Sequence, residues 1–435
     1  MNILHVVESY YPFKSGMAEV VKQISENLVS FGYSVTVATT ICDERRSNAL
    51  NGVKIISFDI TGNAVTGISG KESEKQRYFD LIKNQNFDLV TFFAAQQWGT
   101  DIVLPFLNEI KAKKIFVPTG FSGLNIPEYK KYFEDMRLYI KNFDHNIFLS
   151  NDYRDINFAR ENNIDERKIS VVPNGASENE FLSPSNNEIR KKLNIPPEDF
   201  LILSVGSHTA LKGHKESIEI FKRLKIKNAV LVIVGNKIEN VKIKINFKNI
   251  VKMLLFYVFG KNFGKGCEFY CNYMNKKFKA SFLRLFDKKK LIITDLSRGD
   301  TVNLYKSSDL FLFPSKIECS PIVLFESCAS KTPFLVTSVG NSSEIIDLTG
   351  GGELLPTKKD KKGYSAAIIN KSVKVVENLI KDEGKRKRLG EKGFENWQLN
   401  FTWEKISKKY EEIYLRTLVL NFFTGNKTKN DETTE

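Results

Sequence analysis

The chain has 435 residues, 42% apolar and 27% charged, which excludes a collagen-like, disordered or disulfide-scaffold protein and leaves length for two or three domains. Its 65 Lys and Arg against 51 Asp and Glu leave a net charge of +14, so an anionic partner is expected: a nucleotide, a lipid surface or nucleic acid. Five cysteines without a C-x-x-C pair, and only four histidines, argue against a zinc ribbon or disulfide framework and for free thiols in a reducing cytoplasm. The segment Met1 to Ser9 lacks the charged start and small-residue cleavage site of a signal peptide. No run approaches the ~20 apolar residues of a membrane span.

In chain order, Ile3 to Val7 reads as a buried strand, followed by a Tyr-Pro-Phe-Lys-Ser-Gly loop from Tyr11 to Gly16. Val20, Val21, Ile24, Leu28 and Val29 then recur at helical spacing until Gly32, and Val35 to Ala38 begins the next strand. This strand–loop–helix–strand unit is the building block of a parallel, doubly wound sheet. Short apolar strands continue at Val53 to Phe58, Leu89 to Phe93, Ile115 to Val117 and Ile147 to Leu149, and Ile169 to Val172 closes the half at Asn174-Gly175. A second series follows a polar linker, with strands at Leu201 to Val205, Ala229 to Val234, Leu291 to Thr294, Leu310 to Phe313 and Phe334 to Thr337. Trp403 to Leu420 is helical and 426–435 is a polar tail. The expected architecture is α/β, two Rossmann-like domains with parallel sheets facing a cleft. Their expected limits are 1–180 and 181–400, with a basic helical insert at 237–290 and a crossover helix at 401–425.

Two motifs carry the chemistry. Gly206-Ser207-His208 and Lys212-Gly213-His214 lie between a strand and a helix, where a lysine, a glycine turn and a helix N-terminus together suit a phosphate. Glu318-Cys319-Ser320-Pro321-Ile322-Val323-Leu324-Phe325-Glu326 places two carboxylates astride a helix start whose first amides would point at an anion. Taken singly, each has a plainer reading: Lys-Gly as a helix entry, the glutamates as partners of a helix dipole. Cys319 and Cys328 read as small apolar fillers, and His5 as a satisfied core histidine.

Together the motifs resemble those of glycosyltransferase family 4, retaining nucleotide-sugar enzymes of the GT-B fold. Pro314-Ser315, Glu318 and Glu326 resemble the family's E-x7-E element, with Ala329 and Pro333 in its continuation. Tyr11-Pro12 with Gly16 resembles the N-terminal glycine loop, Asn174-Gly175 the turn before the linker, and Phe401 to Glu404 the crossover. The resemblance implies that Glu326 holds the donor ribose, Glu318 the transferred sugar, and Lys212 with the free amides around the helix start Ser320, Pro321, Ile322 and Val323 the diphosphate. Gly206 and Ser207 would line the same loop, and Gly16 would let its loop approach the donor because a side chain there would clash. Three places depart from the pattern. Ser207 replaces an arginine, which His208 or another basic residue would have to offset. Met17 replaces a second glycine, and Thr119 replaces a histidine beside the sugar.

No Asp-x-Asp occurs, so metal-independent transfer is expected, with no cofactor beyond the donor. The expected activity is hexosyl transfer to a glycan or lipid-linked hydroxyl in surface polysaccharide or glycolipid assembly. A nucleotide-sugar epimerase of the same fold and a catalytically silent binding protein stay open as alternatives.

From Lys237 to Lys290 there are 14 Lys or Arg against three acids, so this segment holds most of the net charge. Phe247, Ile250, Val251, Leu254, Leu255 and Val258 fit one helical face, and Tyr270, Tyr273, Met274, Phe278, Phe282 and Leu285 a second. Cationic helices with aromatic faces suit an anionic lipid interface. The same faces could equally pack on their own domain, and both readings stay open. The first places the protein in the cytoplasm, peripheral on the inner face of the plasma membrane, and no nucleic-acid partner is expected.

Overall fold

A computed structural model describes residues 1–84, 86–184, 188–235, 267–280, 289–360 and 363–424. The chain divides into two compact units, one of Met1–Gly175 with Asn400–Glu435, the other of Ala176–Leu399.

In the first unit, β1 (Asn2–Val6) leads to α1 (Gly16–Ser30), and β2 (Ser34–Thr40), β3 (Ala49–Leu50) and β4 (Val53–Phe58) follow. β5 (Leu89–Phe93), β6 (Lys113–Val117), β7 (His145–Phe148) and β8 (Ile169–Val171) complete one sheet of order β8-β7-β6-β5-β1-β2-β4-β3. All pairs are parallel except β3 with β4. Leu89–Phe93 is buried at every position, as a strand with both faces covered must be.

In the second unit, β9 (Phe200–Val205) is followed by α2 (His214–Arg223), β10 (Ala229–Val234), α3 (Glu268–Ala280) and β11 (Lys289–Thr294). Then come α4 (Arg298–Lys306), β12 (Leu310–Phe313), α5 (Ile322–Ala329), β13 (Phe334–Thr337) and β14 (Gly352–Leu355). The sheet is wholly parallel, in the order β11-β10-β9-β12-β13-β14. Strand order therefore reverses between β9 and β12, and the loops after these two strands open at the switch point where doubly wound sheets bind ligands. Those loops are 206–213 and 314–321.

The last described helix, α6 (Trp403–Thr424), belongs to the first unit. Its Trp403, Ile406, Tyr410 and Tyr414 are buried. The Tyr414 hydroxyl accepts from Thr91 Oγ1 at 2.7 Å and pairs with His5 Nε2 at 3.1 Å, while His5 Nδ1 pairs with Ser25 Oγ at 2.8 Å. His5 is thus a core histidine with both nitrogens engaged.

Of the basic segment, residues 237–266 and 281–288 lie outside the described residues, including the face from Phe247 to Val258 and the positions Phe282, Arg284 and Leu285. The described part, α3, packs on its own domain. Tyr270, Cys271 and Met274 join the core with Phe221 and Leu291, and Phe278 stacks on Phe221 with ring centroids 5.9 Å apart. Lys276 and Lys277 are exposed on the opposite side.

Candidate functional site

The loop after β9 is shaped by two glycines. Gly213 takes φ +74°, and a Cβ there would lie 2.0 Å from the Pro314 carbonyl oxygen, so only glycine lets the two switch-point loops meet. A Cβ on Gly206 would stand 3.0 Å from Lys212 Cβ and Cγ. The loops are stitched together by Lys316 N donating to Leu211 O at 2.8 Å, and Ser315 Oγ lies 3.1 Å from the same carbonyl.

This stitching brings Lys212 to Glu318. Lys212 Nζ lies 2.7 Å from Glu318 Oε1, and Ser315 Oγ donates to that oxygen at 2.6 Å. The Glu318 side chain is 9% exposed and that of Lys212 29%, so the lysine is the more open member of the pair. Four residues on, α5 begins with Pro321 as its N-cap, which offers no side-chain acceptor to the first amides. The amides of Ile322 and Val323 are therefore helix-terminal donors without an intrahelical acceptor. Ser320 is buried and its hydroxyl accepts from Asn341 Nδ2 at 3.2 Å.

Glu326, one turn into α5, is 2% exposed and has its own cation. Arg298 Nη1 lies 2.6 Å from Glu326 Oε1, while Arg298 Nε and Nη2 clasp Glu180 at 2.6 to 3.1 Å. A carboxylate this deep needs such a partner, because removing its charge from water is costly. Its field also bears on the buried Tyr305 hydroxyl, whose pKa is raised first by burial and then by Glu326. Arg298 and Glu180 were not foreseen from the sequence, and Ser315 was named there only as part of the glutamate motif. The only signal for Arg298 was the need of a buried carboxylate for a cation.

His208 turns away from solvent. It is 4% exposed, and its Nδ1 faces His214 Nδ1 at 3.2 Å and Cys267 Sγ at 3.5 Å. Of the two ways of offsetting Ser207, this orientation favours another basic residue over His208. Ser207 is half-buried in the loop after β9.

In the first unit, Gly16 is the first residue of α1, with Ser15 Oγ accepting from Ala18 N at 3.1 Å. A Cβ on Gly16 meets no atom within 4 Å among the described residues, so the fold itself does not demand a glycine there. Thr119 follows β6 at φ +59°, an unusual conformation for a β-branched residue. Gly120 N next to it donates to Asp155 Oδ2 at 2.7 Å, and burial lifts the Asp155 carboxyl to about 6. Ala94, Gln96 and Phe121 also take positive φ, so the loops after β5 and β6 concentrate backbone strain at strand ends, as binding loops commonly do.

Cys319 is partly buried. Cys328 is a buried filler whose thiol burial pushes up to about 12.

Residues 185–262 and 274–396 match the family described as glycosyl transferases group 1. Over its length the chain is 23% identical to an uncharacterized glycosyltransferase of Methanocaldococcus jannaschii, covering 95% of this chain and 98% of that one. It is 24% identical to the lipopolysaccharide 1,2-N-acetylglucosaminetransferase of Salmonella typhimurium, over 56% of this chain and 55% of that protein. Among solved structures, Anabaena HepE in complex with UDP-glucose superposes with a TM-score of 0.67 at 13% identity, over 96% of this chain and 100% of that one. The fold is GT-B, with two Rossmann-like domains.

Proposed function

We propose that the chain is a glycosyltransferase that moves a hexosyl group from a nucleotide diphosphate sugar to a hydroxyl acceptor, with retention of configuration, a reading supported by the match of residues 185–262 and 274–396 to glycosyl transferases group 1. The observation that carries this reading is the meeting of Lys212, Ser315 and Glu318 at the switch point of the second sheet, four residues before an uncapped helix start. A leaving nucleoside diphosphate gains negative charge in the transition state. An ammonium and helix-terminal amides fixed in advance stabilise that charge without reorganising. Lys212 and the amides from Ser320 to Val323, with Gly206 and Ser207 lining the loop, are assigned to the diphosphate, Glu318 to sugar hydroxyls and Glu326 to the ribose. Retention rests on the resemblance to family 4. Metal independence rests on the lack of Asp-x-Asp and on this cationic alternative. A lipid-linked or glycan acceptor fits the similarity to a lipopolysaccharide glucosaminyltransferase.

A panel of nucleotide sugars, read as acceptor-dependent release of nucleoside diphosphate, tests the reading. One donor should turn over, and Lys212→Ala should slow it by about 10²–10³-fold, the usual cost of one charge-stabilising donor. Normal turnover in folded Lys212→Ala and Glu326→Ala would remove the site assignment. We further propose that the basic segment docks on an anionic leaflet. Sedimentation with anionic vesicles at low salt should show binding that Gln at Lys242, Lys244, Lys248 and Lys252 weakens; no binding, or equal binding, would refute it.

A further inference from the structure

Four side chains that the donor site does not use meet inside the second unit. His208 lies in the loop after β9 and His214 opens α2, so the two imidazoles bracket the segment that presents Lys212. Cys267 immediately precedes α3 and Cys271 lies one turn later, a spacing that puts both thiols on one helix face. Their exposures are 4, 1, 2 and 0% in that order. One ligating atom from each lies within 4.8 Å of all the others.

The distances carry a specific geometry. Zinc bound tetrahedrally at about 2.0–2.1 Å from nitrogen and about 2.3 Å from sulfur sets the ligands about 3.3 Å apart for N···N and about 3.6 Å for N···S. Here the two Nδ1 atoms are 3.2 Å apart, and Cys267 Sγ is 3.5 Å from each. Two imidazole nitrogens and a sulfur converging in a buried place form a set of electron pairs with few protons to share. A soft divalent cation satisfies them together, and thiolate with imidazole selects zinc over magnesium or calcium.

We propose that His208, His214, Cys267 and Cys271 form a closed zinc site that pins α3 to the loop carrying Lys212. Four protein ligands leave no open position, which makes the site structural rather than catalytic. Cys267 N already donates to His208 O at 2.9 Å, so backbone and metal fasten the same two elements. The ligands His214 and Cys267 are 53 positions apart, and binding closes that excursion of chain at its base. Zinc binding to such a set contributes directly to folding free energy.

The full chain, purified under reducing conditions without chelator, should carry about one zinc per molecule by elemental mass spectrometry. The double variant Cys267→Ser, Cys271→Ser should lose it, and Cys42→Ser should keep it. Cobalt substituted into the wild-type chain should show thiolate-to-cobalt charge transfer and intense tetrahedral d–d bands, a readout that needs no variant to fold and no activity. A chain that takes up no stoichiometric zinc on reconstitution overturns the proposal. So do a cobalt spectrum without thiolate charge transfer or zinc retained by a folded double variant.

Discussion

Glu318 sits on the ammonium that is assigned to a diphosphate, so a donor must compete with an internal carboxylate for Lys212. A pair partly open to solvent is worth about 1 kcal/mol at most, a competition that a doubly charged phosphate wins. Glu318→Gln keeps the shape of the side chain and removes the competing charge. Affinity for nucleoside diphosphate alone, measured by calorimetry, should then rise by about fivefold. Turnover of the complete sugar donor should fall, because the group assigned to the sugar hydroxyls has lost its charge. A matched loss of both would mean that Glu318 only orders the loop. His5 supports a second expectation. Burial lowers its pKa from 6.5 to about 3. Above the unfolded value both states are neutral and stability is complete. As pH falls below 6.5 the unfolded chain binds a proton that the native core refuses, costing about 1.4 kcal/mol per pH unit. His145, lowered to about 4, acts in the same direction. Asp101 and Asp155, raised to about 6, act in the opposite one between 3.8 and about 6, because the native state takes their protons first. The whole-protein slope mixes these terms, so the test is the difference between wild type and His5→Gln. Urea unfolding at about pH 7 and about pH 5 should show the variant losing less stability on acidification. Equal slopes would mean that His5 does titrate in the native core.

At the scale of elements, the sequence made plain whatever is written in local pattern. β5, β9, β10 and β12 are short apolar runs between turn residues, and buried parallel strands must be. The two glutamates and the Lys-Gly pair were readable because each is a fixed spacing inside one loop or helix start. β14, Gly-Glu-Leu-Leu, was not foreseen, since its pairing with β13 rather than its composition makes it a strand. Partnerships across elements left no local trace either. Arg298 reaches Glu326 from α4 and Glu180 from the linker, a meeting fixed only when three separate segments pack. The cysteines were set aside for want of C-x-x-C, and the approach of Cys267 and Cys271, four positions apart, to two histidines from a different strand end left no trace in local spacing. His208 was given the wrong neighbour because a sequence states which ring is present but not which way it turns. The basic, aromatic composition of 270–278 was equally ambiguous, and packing against Phe221 and Leu291 decided for the core.

The molecule as a whole is built so that its first unit is finished by its last described helix. Residues 1–175 supply the sheet, but α6 supplies Trp403, Ile406, Tyr410 and Tyr414 to its buried side, with Tyr410 stacked on Phe93 at 6.4 Å between centroids. A chain that leaves one unit after Gly175 and returns to it at Asn400 makes the stability of that unit depend on a segment made after the other unit is complete. Truncating a buried aromatic to alanine costs about 3–5 kcal/mol, a large share of the about 5–15 kcal/mol that holds a domain together. Tyr410→Ala should therefore loosen one unit selectively, since each has its own core and opens as its own cooperative body. Hydrogen exchange read by mass spectrometry should show peptides from 1–175 and 400–424 losing protection together, while those from 176–399 keep theirs. That contrast also separates two views of α6. If it were a surface strap, only its own peptides would exchange faster; if it is core, protection in β1, β5 and α1 falls with it, because His5 and Thr91 bond to Tyr414 of the helix and His5 in turn holds Ser25 of α1. Equal loss across 176–399 would mean that the chain unfolds as a single body.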